Sequence, residues 1–98
     1  MKSTKAFIFD IVRKTESLRD GIVAYAYAEQ AVPSAPEIWW VCVSDYNFYL
    51  EDQRFRVLCN AWHKVANARG INLSIAYCNP MEKRLNQLAN ADNLILNI

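Results

Sequence analysis

Ile38-Trp39-Trp40-Val41-Cys42-Val43 is an unbroken apolar run of six residues. It is too short for a globular helix and too continuous for a strand with one wet face, so it reads as a strand buried on both sides. An amphipathic stretch follows over residues 50–69, and a second strand pattern over residues 71–77. Strand, helix and strand in that order, with few residues left for loops, predict a parallel crossover unit. The expected architecture is a single small layered α/β domain over residues 1–98. Its sheet would be mostly parallel, of about four strands, with helices packed on it.

The helix over residues 50–69 has the clearest pattern. Phe55, Leu58, Trp62, Val65 and Ala66 form one stripe, and Arg54, Arg56, Asn60, Lys64 and Asn67 occupy the wetter side. Glu51 and Asp52 sit in its first turn, Lys64 and Arg69 lie near its end, and Gly70 is the expected stop. Asn79-Pro80 then opens a last helix with Leu85, Leu88 and Ala89 on its buried face. Leu94, Ile95, Leu96 and Ile98 are placed to add an edge strand.

Three readings compete for the first thirty residues. β-Branched and aromatic residues favour a strand over residues 5–12, and Ala24, Ala26 and Ala28 favour a helix over residues 15–30. Yet Ile8, Ile11, Val12, Thr15, Leu18 and Ile22 also line up on one long helix from Ser3 to Gln30. Asp20-Gly21 is a turn signal, and the alternation from Ile22 to Tyr27 suits a hairpin of residues 5–12 with residues 22–28. Val32-Pro33-Ser34-Ala35-Pro36 is a linker of loop length in every case. With the helix in place, Leu18, Ile22 and Tyr25 are expected to cover one side of Trp39-Trp40 and the helix around Trp62 the other.

The bulk properties exclude several classes. The chain is 53% hydrophobic and 12% aromatic, with two glycines and a formal charge of +1, so disorder is excluded. Eleven basic and ten acidic residues are spread along the chain, without the basic block of a nucleic-acid binder. No run is long enough to span a membrane and none has the core of a secretion signal. Three cysteines in dissimilar contexts do not make a disulfide framework, which points to the cytoplasm.

The chemistry-bearing residues each have a structural explanation beside a functional one. Cys42, Cys59, Cys78 and His63 form a legitimate zinc inventory but lack close C-x-x-C pairs, and buried thiols account for them, so no metal is expected. Ser44, Asp45, Glu51 and Asp52 cluster at the carboxyl end of the central strand, where ligands bind in open α/β sheets. Turn and capping duties explain the same residues. Trp39 and Trp40 must point to opposite faces. No glycine-rich phosphate loop exists, and no cofactor is expected.

From residue 38 to residue 98 the order of residues resembles the STAS domain, the fold of bacterial anti-sigma-factor antagonists and sulfate-transporter tails. Trp40-Val41-Cys42-Val43 stands for that family's buried strand, and Leu50-Glu51-Asp52-Gln53-Arg54-Phe55 for its Asp-Ser-Ser-Gly-Leu-like motif. Val65-Ala66-Asn67-Ala68-Arg69-Gly70 stands for its helix end, Leu73-Ser74-Ile75 for the next strand, and Arg84-Leu85-Asn86-Gln87-Leu88 for the last helix. Gln53 occupies the position of the phosphorylated serine and Asp52 that of its neighbour, so the resemblance implies docking without that switch.

The expected function is a non-enzymatic protein-interaction or regulatory domain that binds a protein partner or itself as a homodimer. Tyr46, Tyr49, Glu51, Asp52, Arg54 and Arg56 are the expected contacts, since Tyr and Arg anchor interfaces. The alternative is a small-molecule-binding protein or minor enzyme whose pocket is lined by Ser44, Asp45, His63 and Asn79.

Overall fold

A computed structural model describes residues 3–79, 81, 82, 85, 95 and 96. The elements run α1 (Thr4–Ser17), β1 (Ala24–Glu29), β2 (Ile38–Val43), α2 (Tyr46–Glu51), α3 (Gln53–Ala68), β3 (Asn72–Tyr77) and β4 (Ile95–Leu96). The fold is α/β.

The first element is a helix, not the strand favoured by its β-branched residues. Ser3 caps it, its hydroxyl accepting from the Ala6 amide at 3.1 Å. Phe7, Ile8, Ile11, Val12 and Thr15 are buried on one stripe. As a strand, the segment would have sent Ile8 and Val12 to the face opposite Phe7 and Ile11. Collecting all four on one face outweighs the few tenths of a kcal/mol per residue by which β-branching disfavours a helix. Thr15, fully buried, returns its hydroxyl hydrogen to the Ile11 carbonyl at 2.8 Å. Gly21 turns the chain at φ +86°, a conformation that glycine adopts readily.

Residues 24–29 are correspondingly a strand and not the expected helix. Ala24, Ala26 and Ala28 face α1, while Tyr25 and Tyr27 face the other way. Methyl-sized side chains let a helix approach the sheet closely, and the tyrosines supply apolar area to the opposite face. The Glu16 carboxylate accepts the Ala24 amide at 2.9 Å, fixing where the strand begins.

The sheet order is β3-β2-β1-β4. β2 and β3 pair in parallel, with Val41 opposite Ile75, and α2 and α3 make the crossover that the sequence predicts. β1 pairs antiparallel with β2, Ala24 opposite Val43 and Glu29 opposite Ile38. Ile95 and Leu96 pair antiparallel with Ala26 and Tyr25. The sheet is therefore mixed rather than mostly parallel. The reason is local: once residues 24–29 are a strand, the proline linker joins two neighbouring strands without a helical crossover, which only an antiparallel pair permits.

Trp39 and Trp40 do point to opposite faces. Trp39 is buried among α1, Val41 and Ala66, with Trp62 against that cluster, so α1 and α3 share one face. Leu18 and Ile22 do not cover the tryptophans. They pack with Val43, Phe48 and Phe55 at the end of the sheet where α2 begins. Arg69 closes the α3 end over the Phe7 ring, 5.0 Å from its centroid. On the opposite face Tyr25, Tyr27, Cys42 and Cys78 are buried, with Trp40 half-buried against them.

Met81, Glu82 and Leu85 are helical, and Leu85 is exposed rather than buried. Pro80, Leu88, Ala89, Leu94 and Ile98, and with them most of the expected last helix, lie outside the described residues. No helix among the described residues is long and apolar enough to cross a membrane.

Candidate docking site beside the outer strand

Two aspartates set the corner between β2 and α3. Asp45 caps α2, accepting from the Phe48 amide at 2.8 Å, and its other oxygen meets Arg19 at 3.3 Å. Asp52 ends α2 and opens α3, accepting from the Phe55 amide at 2.9 Å. These caps bring Phe48 and Phe55 together, ring centroids 5.0 Å apart and both buried. A short α2 held at that angle lays Tyr46 and Tyr49 along β3. The Tyr46 ring meets Tyr77 edge-on at 5.1 Å, and the Tyr49 hydroxyl donates to the Ile75 carbonyl at 3.3 Å.

Among the described residues β3 is the outermost strand on this side of the sheet. In a parallel ladder, alternate residues turn both backbone groups towards the same neighbour. Cys78 donates inward to the Val43 carbonyl at 3.0 Å. By that parity Leu73, Ile75 and Tyr77 direct their N–H and C=O groups outward. The strand Asn72-Leu73-Ser74-Ile75-Ala76-Tyr77 contains no charged residue and no proline, the usual guards of an edge.

Beside this edge lies a cleft of about 370 Å³ lined in part by Tyr49, Leu50, Arg56, Cys59, His63 and Ile75. Burial pushes the Cys59 thiol up to about 11, so it stays protonated at neutral pH. His63 Nδ1 donates to the Cys59 carbonyl at 2.8 Å, one turn back on the helix. That bond fixes the ring hydrogen on Nδ1 and leaves Nε2 as the imidazole's acceptor.

The sequence-predicted residues separate into three groups. Tyr46 and Tyr49 touch β3, and Arg56 lines the cleft while donating to the Leu50 carbonyl at 3.0 Å. Asp52 is a helix cap, Arg54 donates to the Leu18 carbonyl at 2.6 Å, and Glu51 is exposed at the end of α2. Of the expected pocket residues, only His63 lines the cleft. Ser44 donates to the Val23 carbonyl at 3.0 Å, Asp45 is a cap, and Asn79 accepts the Glu82 amide at 2.9 Å.

The zinc inventory is divided by the sheet. Cys59 and His63 lie on the α3 side, and Cys42 and Cys78 meet on the other, their sulfurs 2.7 Å apart. Among the described residues no three metal-ligating side chains converge. The sequence reading missed both the open β3 edge and the Cys42–Cys78 contact. Neither left a local signal, because the first depends on strand order and the second on strand register.

No family model, curated protein or solved structure matches the chain.

Proposed function

We propose that the chain is a small cytoplasmic protein-interaction domain, acting without catalysis, that docks through the outer edge of β3. Its occupant is a second copy of the same strand. The observation that carries this reading is the uncharged edge whose backbone groups at Leu73, Ile75 and Tyr77 point outward.

Self-pairing satisfies those groups in one register. A two-fold axis through Ile75 sets Ile75 against itself and Leu73 against Tyr77 of the other copy, so outward groups meet outward groups. Leu73 opposite Tyr77 is an aliphatic–aromatic pair of the kind that stabilises antiparallel strands, and Ser74 falls opposite Ala76. No charge opposes a like charge anywhere along the seam. Tyr46, 54% exposed, and Leu50, 42% exposed, then flank it with apolar surface. The resemblance to STAS domains points the same way, since the helix after the buried strand is where such a domain would dock.

Ser74→Lys combined with Ala76→Lys tests the seam, because each new lysine faces the other across the two-fold. Sedimentation equilibrium should show a dimer for the wild type and a monomer for the double variant, at matching circular dichroism. A wild type that stays monomeric throughout the micromolar range, or a folded variant that still dimerises, refutes the proposal.

A further inference from the structure

On the sheet face opposite α1 and α3, Cys42 and Cys78 are the sole cysteines buried together among the described residues. Cys42 is fully buried in β2, and Cys78, 7% exposed, is the first residue beyond β3. Register explains why they meet: Val43 pairs with Tyr77, and the Cys78 amide donates to the Val43 carbonyl, which holds Cys78 at the end of the same ladder. Their sulfurs stand 2.7 Å apart and neither is in a disulfide. We propose that Cys42 and Cys78 form an oxidisable dithiol site, which closes to a disulfide by exchange with a small disulfide such as oxidised glutathione.

The surroundings divide the labour between the two sulfurs. Contact with Cys78 pushes the Cys42 thiol up and burial pushes it further. The same contact pulls the Cys78 thiol down, against the opposing effect of burial. The Tyr25 hydroxyl, fully buried between them, hydrogen-bonds both and favours a thiolate. Cys78 is therefore the sulfur that ionises first, and it is the less buried one. Its thiolate attacks oxidised glutathione, an S–S bond breaks, and one glutathione leaves as thiolate. Cys42 then gives its proton to that base or to water and attacks the Cys78 sulfur of the mixed disulfide, expelling the second glutathione. In balance, two protein thiols and one oxidised glutathione become one protein disulfide and two glutathione thiols.

The second step is intramolecular between atoms already in contact, so the ring form should predominate over the mixed disulfide. The bond would pin the exit of β3 to β2, and with it the turn at Asn79 that accepts the Glu82 amide. This site is independent of the outward backbone groups of β3: its sulfurs lie buried on the sheet face opposite α1 and α3.

The experiment refolds the protein from urea into glutathione buffers of graded ratio, so that burial cannot hide either thiol from the oxidant. An acid quench, alkylation and mass spectrometry follow. Cys59→Ser serves as the background, and the unsubstituted chain is digested in parallel to locate the cross-link. The expected result is loss of two hydrogens, a Cys42–Cys78 linked peptide, and a melting temperature raised by roughly ten degrees. Cys78→Ser should abolish all three while leaving sedimentation unchanged. Two alkylated thiols at every ratio, glutathione retained on Cys78, or a cross-link between chains overturns the proposal.

Discussion

The Tyr49 hydroxyl donates to the Ile75 carbonyl oxygen across 3.3 Å, tying α2 to the outward-facing backbone of the outer strand. It is the single side-chain hydrogen bond to a β3 carbonyl among those described, and it covers one of the groups that an incoming strand needs. A neutral bond of that length at a half-buried site is worth the lower part of the usual range, about 0.5–1 kcal/mol. Tyr49→Phe should lower stability to urea by that amount. It should leave dimerisation as tight or tighter, since it uncovers the Ile75 carbonyl. Weaker sedimentation of the dimer would show instead that the phenol belongs to the contact.

Asp52 has two interpretations that a pair of substitutions separates. As a cap it accepts the Phe55 amide at 2.9 Å, and its 3.7 Å approach to the exposed Arg54 adds little. Asp52→Ala should cost about 1 kcal/mol, and Asp52→Asn only a few tenths, because asparagine caps nearly as well. Urea titration reads both. If Asn were as damaging as Ala, the charge would matter more than the cap, and a partner-binding role would regain support.

The crossover unit from Ile38 to Tyr77 was legible because each segment carries one period alone: a continuous apolar run, then a helical stripe, then a second run. The first thirty residues were not, since Phe7, Ile8, Ile11 and Val12 fit helix and strand alike, and Ala24 to Ala28 carries helix-forming residues in strand alternation. Which element wins depends on the partner: three alanines are useful only where a helix lies against them. Strand order is a tertiary property, so nothing local marked β3 as an edge. Tyr46 and Tyr49 were legible as aromatics before a helix, but not as neighbours of Tyr77 and Ile75.

Alkaline titration should report the buried face. Tyr27 is pushed up to about 12, first by burial and then by the charges of Cys42, Cys78, Glu29 and Glu82. The unfolded chain ionises this phenol near its ordinary value of 10.0, so between those pH values the folded state holds more protons than the unfolded state. Stability must then fall as pH rises through that window, and the contribution is fully present below it. Tyr27→Phe removes this component, so its stability should decline less steeply there than that of the wild type. Parallel slopes would place the Tyr27 hydroxyl in water.

The alanine row of β1 gives the sharpest packing test. Ala26 is fully buried under α1, between Ala24 and Ala28, and pairs with Val41 on one side and Ile95 on the other. Three added carbons at Ala26 must push α1 off the sheet or force Ile8, Ile11 or Val12 from their rotamers. Overpacking of that kind costs about 1–3 kcal/mol. Ala31→Leu, in the exposed loop after β1, adds the same atoms where they meet no core and should stay within about 0.5 kcal/mol. In urea the Ala26→Leu midpoint should drop with its slope unchanged, because the same surface is exposed on unfolding. If both leucines were equally harmless, the alanine row would not be the seat of α1. The helix would then need another reason for lying over β1 than the small side chains beneath it.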